Sequence, residues 1–168
     1  VRGIIRDRRG RVLVENIARY EMQFNLKEIL NNYRRALKEE NLAISKSNRT
    51  ASVKKVLKEV PVSTFDFNDG VGIKRTRKEE DMVSIVSEMI FPYLANIGLY
   101  SEFHAGDLQR HWRTHGGLVP YTYRDDLTFE EYAIAAEHSL DLPGVTVTAR
   151  PMRKYVYGAL ASHILCLL

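Results

Sequence analysis

Cysteine is nearly absent from this chain: Cys166 is the single one among 168 residues. That excludes an internal disulfide, and with it the small secreted folds held together by such bridges. No run of 18 apolar residues occurs, so no stretch has the length and polarity of a membrane-spanning helix. The first residues, from Val1, read as strand and not as a secretory leader. Internal repeats and low-complexity tracts are also missing. Charge of neither sign dominates: 25 basic residues stand against 21 acidic ones, for a net +4. So mild an excess suits a nucleic-acid module and a protein working beside an anionic membrane or cell wall equally well. An apolar share of 45% with 27% charged residues is that of a folded domain, and the length suits one domain.

The periodicities divide the chain. Val1 to Phe24 reads as two or three short strands, with a tight turn at Asp7 to Gly10. From Leu26 the period becomes helical through Ile29, Leu30, Tyr33 and Leu37, with Asn25 as N-cap. Val53, Val56, Leu57 and Val60 predict a second helix from Ser52 that stops before Pro61. Ser63 to Gly72 reads as loop. Arg77 to Ile97 predicts the longest helix, bent at Pro92, and Asp107 to His115 a shorter one stopped by Gly116 and Gly117. Leu118 to Tyr123 alternates as a strand. Thr128 and Glu131 form a capping box for a helix to about Leu140. Strands at Val145 to Arg150 and Arg153 to Val156 follow a turn at Pro143-Gly144, and a short helix begins at Gly158. The fold predicted is α+β and elongated: strands at the two ends pair into a small sheet, and a helix-rich lobe is inserted between them.

Two stretches carry more than periodicity. The first is Arg2-Gly3-Ile4-Ile5-Arg6-Asp7-Arg8-Arg9-Gly10, continuing through Leu13 and Asn16. The second is Leu142-Pro143-Gly144-Val145-Thr146-Val147, then Arg150, Arg153-Lys154-Tyr155-Val156-Tyr157-Gly158 and His163-Ile164-Leu165. In that order they resemble the non-catalytic pedestal, or dimerisation, domain of class B penicillin-binding proteins, most closely the elongation type called penicillin-binding protein 2. The resemblance is specific over about 25 residues at the start and 40 at the end. Val156 stands where the family has proline, and Cys166 where it has glycine. The resemblance makes Arg2, Gly3, Asp7, Arg8, Gly10, Pro143, Gly144, Arg153, Tyr157 and Gly158 the structural motif. It implies one pedestal module over 1–168, with a strand-rich base at 1–25 and 141–168 and a mostly helical lobe at 26–140. It also implies a membrane helix before the module and a peptidoglycan D,D-transpeptidase domain after it, on the periplasmic face of the bacterial inner membrane. Partners would be the glycan polymerase of the rod complex, a periplasmic scaffold protein and the chain's own transpeptidase domain, with no nucleic acid and no cofactor. Docking would bias a mobile lobe that orients the catalytic domain. Leu99, Tyr100 and Phe103 are the candidate docking residues.

Other motifs reduce to ordinary chemistry. Ser52-Val53-Lys54-Lys55 matches the acylating Ser-x-x-Lys of transpeptidases, but Ser-x-Asn and Lys-Thr-Gly are both missing. With nine serines and nine lysines in the chain, such a pair arises readily by chance. His111 and His115 are four apart on one helix face, and His104 would complete a metal-dependent hydrolase site, yet the HWRTH segment lacks the glutamate of a metalloprotease helix. Asp126 and Glu130 suit the dipole at the start of a helix. Lys74-Arg75-Thr76-Arg77-Lys78 is the candidate polyanion patch. It has no aromatic residue within it and reads as a solvated loop leading into a helix. Arg2, Arg6, Arg150 and Arg153 are placed where the end strands meet, with Asp7 or Glu15 as their partners.

Overall fold

The computed structural model describes residues 3–49, 55–68, 70 and 72–157. In chain order the elements are β1 (Ile5–Arg6), β2 (Val12–Phe24), α1 (Leu26–Asn48), β3 (Val62–Asn68), β4 (Lys74–Glu80), α2 (Met82–Met89), α3 (Phe91–Asn96), α4 (Ala105–His115), β5 (Tyr121–Leu127), α5 (Phe129–Glu137) and β6 (Val145–Tyr155). This is the α+β arrangement that the periodicities predict. The helix expected from Gly158 lies outside the described residues.

The spine is β2. On one edge it pairs antiparallel with β6 through an unbroken register from Val14↔Tyr155 to Phe24↔Val145, a ribbon of about 36 Å at strand rise. On its other edge it meets β1 at Val12 and Val14 and β5 from Tyr20 to Phe24. The two ends of the chain thus share one sheet, and β5 reaches it from within the inserted lobe. The two strands expected near the end are one. Val156 donates its N–H to Leu13, so every second residue back from it faces β2 and Pro151 falls on the outer rail. A missing N–H there costs no ladder bond, and it interrupts the rail against further strand addition.

One face of β2 presents Tyr20, Met22 and Phe24 to the helices, as the period of two requires. Met22 and Phe24 are wholly buried with Leu26, Ile29, Met82, Ile85, Leu94 and Leu108. The core therefore sits at the Phe24 end of the ribbon. Toward the other end, Thr148 to Met152 are exposed. On the opposite face Glu21 is buried; its Oε1 accepts from Gln23 Nε2 at 2.9 Å and Thr148 Oγ1 at 3.1 Å and pairs with Arg150.

Helix α1 starts where Asn25 Oδ1 accepts from the Glu28 amide. Its buried residues end at Tyr33, so the second half rests on something else. Asn41 and Asn48 each clasp an extended strip of chain: Asn41 bonds the N–H and C=O of Lys58 at 2.9 and 2.8 Å, and Asn48 those of Lys55 at 2.8 and 2.8 Å. Seven residues of helix rise about 10.5 Å and three extended residues span about 10 Å, so both clasps close at once. This corrects the expected helix over 52–60. Residues 55–60 are extended; 52–54, Ser52 included, lie outside the described residues.

Two further expectations are corrected together. Residues 63–68 of the expected loop at 63–72, and the expected loop at 74–78, are strand: β3 and β4 pair from Val62↔Glu80 to Asn68↔Lys74. The helix expected from Arg77 begins only at Met82, because Asp81 caps it by accepting from the Ser84 amide and hydroxyl at 3.1 and 2.7 Å. It breaks at Ile90, and Pro92 occupies the first turn of α3, where its missing N–H is harmless. Helix α4 ends at Gly116, and α5 begins with the Thr128–Glu131 capping box, both as predicted. The strand expected over 118–123 is displaced to Tyr121–Leu127.

Candidate docking site

The three residues singled out for docking part company. Leu99 is 1% exposed, drawn into the core where the chain turns back after α3, so it offers nothing to a partner. Phe103 packs edge-on against Phe91, with centroids 4.7 Å apart, and is half-buried. Tyr100 is 47% exposed and meets Phe91 edge-on at 5.3 Å.

The loop that carries these residues is fixed from below. Tyr123 on β5 accepts from the Ser101 N–H and donates to the Ser101 C=O, both at 2.7 Å, so one phenol satisfies both backbone groups. Burial raises the Tyr123 pKa and keeps the ring neutral. Beside Tyr100 lies a shallow hollow of about 390 Å³ lined by Ser87, Phe91, Pro92 and Ala95. Its floor is apolar and pinned, a surface that presents area at little ordering cost. A second groove, about 420 Å³, runs between α1 and the clasped strip, with Leu37, Leu42, Leu57 and Val60 along it. Leu42 and Leu57 are more than half exposed.

The base carries the motif residues. Asp7 Oδ1 accepts from the amides of Arg9 and Arg11 at 2.8 and 2.9 Å, and Oδ2 from Arg11 Nε at 2.8 Å. These bonds, the Arg11 amide foremost, hold its carboxyl below the usual range. Gly10 closes the turn at φ +80° by donating to Asp7 O; Gly3 and Arg8 are exposed. Asp7 therefore pairs with Arg11, and Glu15 with Lys154, and not with Arg6, Arg150 or Arg153. Arg6 donates to Gly10 O, Arg150 binds Glu21, and Arg153 Nη2 donates to Gly3 O at 3.2 Å. Gly144 accepts from the Asn25 amide at 2.7 Å; Pro143 and Tyr157 are exposed. Arg2 and Gly158 lie outside the described residues.

The polar hub that sequence reasoning missed is Gln109 on α4. Its Oε1 accepts from the Met82 amide at 3.0 Å, and its Nε2 donates to Glu79 Oε1 at 2.8 Å and Glu80 O at 2.9 Å. Arg113, one turn on, grips Glu79 at 2.6 and 3.1 Å with its guanidinium 3.7 Å over the Phe65 ring. A polar pair at i and i+4 on an amphipathic helix was the available signal. The Arg113 bonds come first among the causes that lower the Glu79 pKa. A lowered folded value stabilises above the ordinary glutamate range, and that stability is lost as pH falls through the folded value. Acidifying from pH 6 to about 3 should therefore loosen the β3–β4 hairpin, seen as lower amide protection factors along β3 and β4 once each rate is divided by the intrinsic rate at that pH. Glu79→Gln should show the lower protection at both pH values.

His111 and His115 do lie together, their rings 4.5 Å apart, and His111 Nε2 meets Val119 O at 3.0 Å. Among the described residues no three His, Cys, Asp or Glu side chains converge as a metal site needs, so His104 does not complete the hydrolase constellation. Asp125 is bound by Arg19, and Asp126 and Glu131 by Arg124, which uses these carboxylates in packing. Among the described residues no helix is long and apolar enough to cross a membrane.

The family model for the penicillin-binding protein dimerisation domain matches residues 1–166. The chain belongs to that family: a non-catalytic, protein-interaction domain of the cell-envelope penicillin-binding proteins. No curated protein sequence matches it.

Proposed function

We propose that this chain is the pedestal of an elongation-type class B penicillin-binding protein, standing at the periplasmic face of the inner membrane. It carries a transpeptidase domain at its strand-rich base and docks the glycan polymerase of the rod complex and a periplasmic scaffold protein through its lobe. The observation that carries the reading is the β2–β6 ribbon. It binds the Asp7 to Gly10 turn and the Pro143-Gly144 strand into one rod, with the lobe and its exposed Tyr100 hollow packed at one end. Such a rod transmits a push or tilt at the lobe to whatever sits on the base, which is positioning and not chemistry.

Two measurements test this. Incubated with a fluorescent penicillin and weighed intact, the full-length parent should be labelled and this chain should not. Co-purification with the glycan polymerase should fall at least about tenfold in Tyr100→Asp, as truncating an interface anchor does. A parent that stays unlabelled, or a Tyr100→Asp chain that co-purifies like the unaltered one, would sink the reading.

A further inference from the structure

The cations of this chain are unevenly placed. Residues 1–16 and 150–157, which make the base, hold eight arginines and lysines against two acids, Asp7 and Glu15, a surplus larger than the net +4 of the whole chain. Both acids are already used: Asp7 holds Arg11, and Glu15 meets Lys154 at 3.5 Å. Arg150 has Glu21. That leaves Arg6, Arg8, Arg9 and Arg153 without a carboxylate among the described residues, and the sequence from Arg150 to Leu168 contains no acid to supply one. Arg8 and Arg9 stand exposed on the turn that Asp7 fixes. Arg153 is drawn inside instead. Its Nε and Nη1 are buried and meet no acceptor among the described residues. Only Nη2 bonds, to Gly3 O at 3.2 Å, the outer end of the range for such a bond. Folded proteins leave few buried donors unmet, and arginine cannot escape the penalty by losing its proton. Held by one long bond, its side chain is free to turn its planar fork toward an incoming acceptor.

We propose that Arg153 is the socket for a carboxylate side chain of the transpeptidase domain, and that Arg8 and Arg9 guide the acidic face around that carboxylate onto the base. The proposal rests on the pedestal reading, which sets that domain on the base, and it adds the group that fixes how the domain sits there. The two kinds of cation have different uses. Exposed charges on a turn steer an oppositely charged surface and hold it weakly. A guanidinium withdrawn from water, with two N–H groups of one fork unmet, matches a single carboxylate held in fixed geometry. A bilayer would meet Arg8 and Arg9 but gives no account of a cation drawn inside. Arg153 is thus a positioning residue: it sets the seat of the catalytic domain and takes no part in the chemistry.

Arg153→Met tests this, because it keeps most of the side chain's apolar length and removes the charge. In this chain alone it should leave the thermal midpoint unchanged or raise it, since an unpaired buried charge is gone. In the full-length parent the same change should open the junction between the two domains, so that a protease cuts it about 30-fold faster, the loss expected when one half of a buried ion pair is removed. Arg153→Lys, with the charge but not the fork, should fall between. Arg8→Gln with Arg9→Gln should speed cutting only about threefold, and less at high salt. An Arg153→Met change that lowers the midpoint of the chain alone, or that leaves the parent's junction cut at the unaltered rate, would overturn the proposal. So would flotation of this chain with phosphatidylglycerol vesicles, or its self-association, where Arg153→Met abolishes either one, for the occupant would then be a bilayer or a second copy. Penicillin labelling of the parent separates the two readings. An unlabelled parent removes the pedestal reading itself, whereas a labelled parent whose junction is indifferent to Arg153 removes only the socket.

Discussion

Gly144→Ala is expected to remove about 3 kcal/mol or more of stability, from two costs that act together. The residue sits at φ +89°, where an L side chain is strained by about 1 kcal/mol or more. A Cβ there would also lie 2.6 Å from Ile29 Cγ1, 3.1 Å from Ile29 N and 3.3 Å from Asn25 O. Ile29 is wholly buried, so its side chain has no empty space to retreat into. The backbone cannot retreat either, because Gly144 O holds the Asn25 amide, the bond that ties the start of β6 to the junction of β2 and α1. Gly10→Ala separates the two costs. Gly10 has a comparable φ of +80°, and nothing lies within 4 Å of its added Cβ, so only the strain of about 1 kcal/mol remains. Urea unfolding of both variants decides the matter. Equal losses would mean that backbone strain is the whole effect and that the packing against Ile29 is slack.

Elements whose signals are local are legible in the order of residues alone. Asn25 before Leu26, Thr128 with Glu131, and Gly116 after His115 are chemistry between residues a few positions apart, and all three act as the residues themselves imply. The alternation is legible only where one face is buried, at Tyr20, Met22 and Phe24 of β2 and at Val145 and Val147 of β6; the exposed stretch from Thr148 to Met152 carries no such pattern, and the end strand therefore reads as two. What failed depends on distant partners. Val53, Val56, Leu57 and Val60 have helical spacing, but at residues 55–60 the two asparagine clasps from α1 supply backbone partners that favour an extended chain. Strand β4 reads Lys-Arg-Thr-Arg-Lys-Glu-Glu and has no apolar face to announce it. It is held by β3 and by Arg113, Gln109 and Arg34 from two helices. Its aromatic partners, Phe65 and Phe67, lie in a stretch where Asp66, Asn68, Asp69 and Gly70 suggested a loop. The docking triplet divides for a different reason. Leu99, Tyr100 and Phe103 are all apolar or aromatic, and composition cannot tell which will face inward. The turn after α3 decides it, sending Leu99 to the core and leaving Tyr100 outside.

Phe24→Ala should cost about 3–5 kcal/mol, the range for emptying a buried aromatic site. Phe24 is the last residue of β2 and is fully buried. It is paired with Tyr121 on one side and Val145 on the other, so its Cα is fixed by both neighbouring strands and cannot move to fill the void. Its ring stacks on Tyr123 at 4.7 Å and 17°, and lies 6.4 Å from Phe91. Tyr123 and Phe91 are the groups that hold the Ser101 loop and floor the Tyr100 hollow. Losing the ring should therefore degrade the proposed docking as well as stability, although Phe24 is itself wholly buried. Phe24→Leu keeps most of the volume and should cost less than about 1.5 kcal/mol. Tyr100→Ala removes an exposed ring and should change stability by less than about 1 kcal/mol while weakening docking directly. Denaturant unfolding of the three variants, read beside co-purification with the glycan polymerase, separates a hollow that is supported by the core from one that merely adjoins it. If Phe24→Ala unfolds the chain while the residual folded fraction still binds at full strength, the aromatic stack beneath the loop has no part in docking, and the hollow must be held by Tyr123 and Ser101 alone.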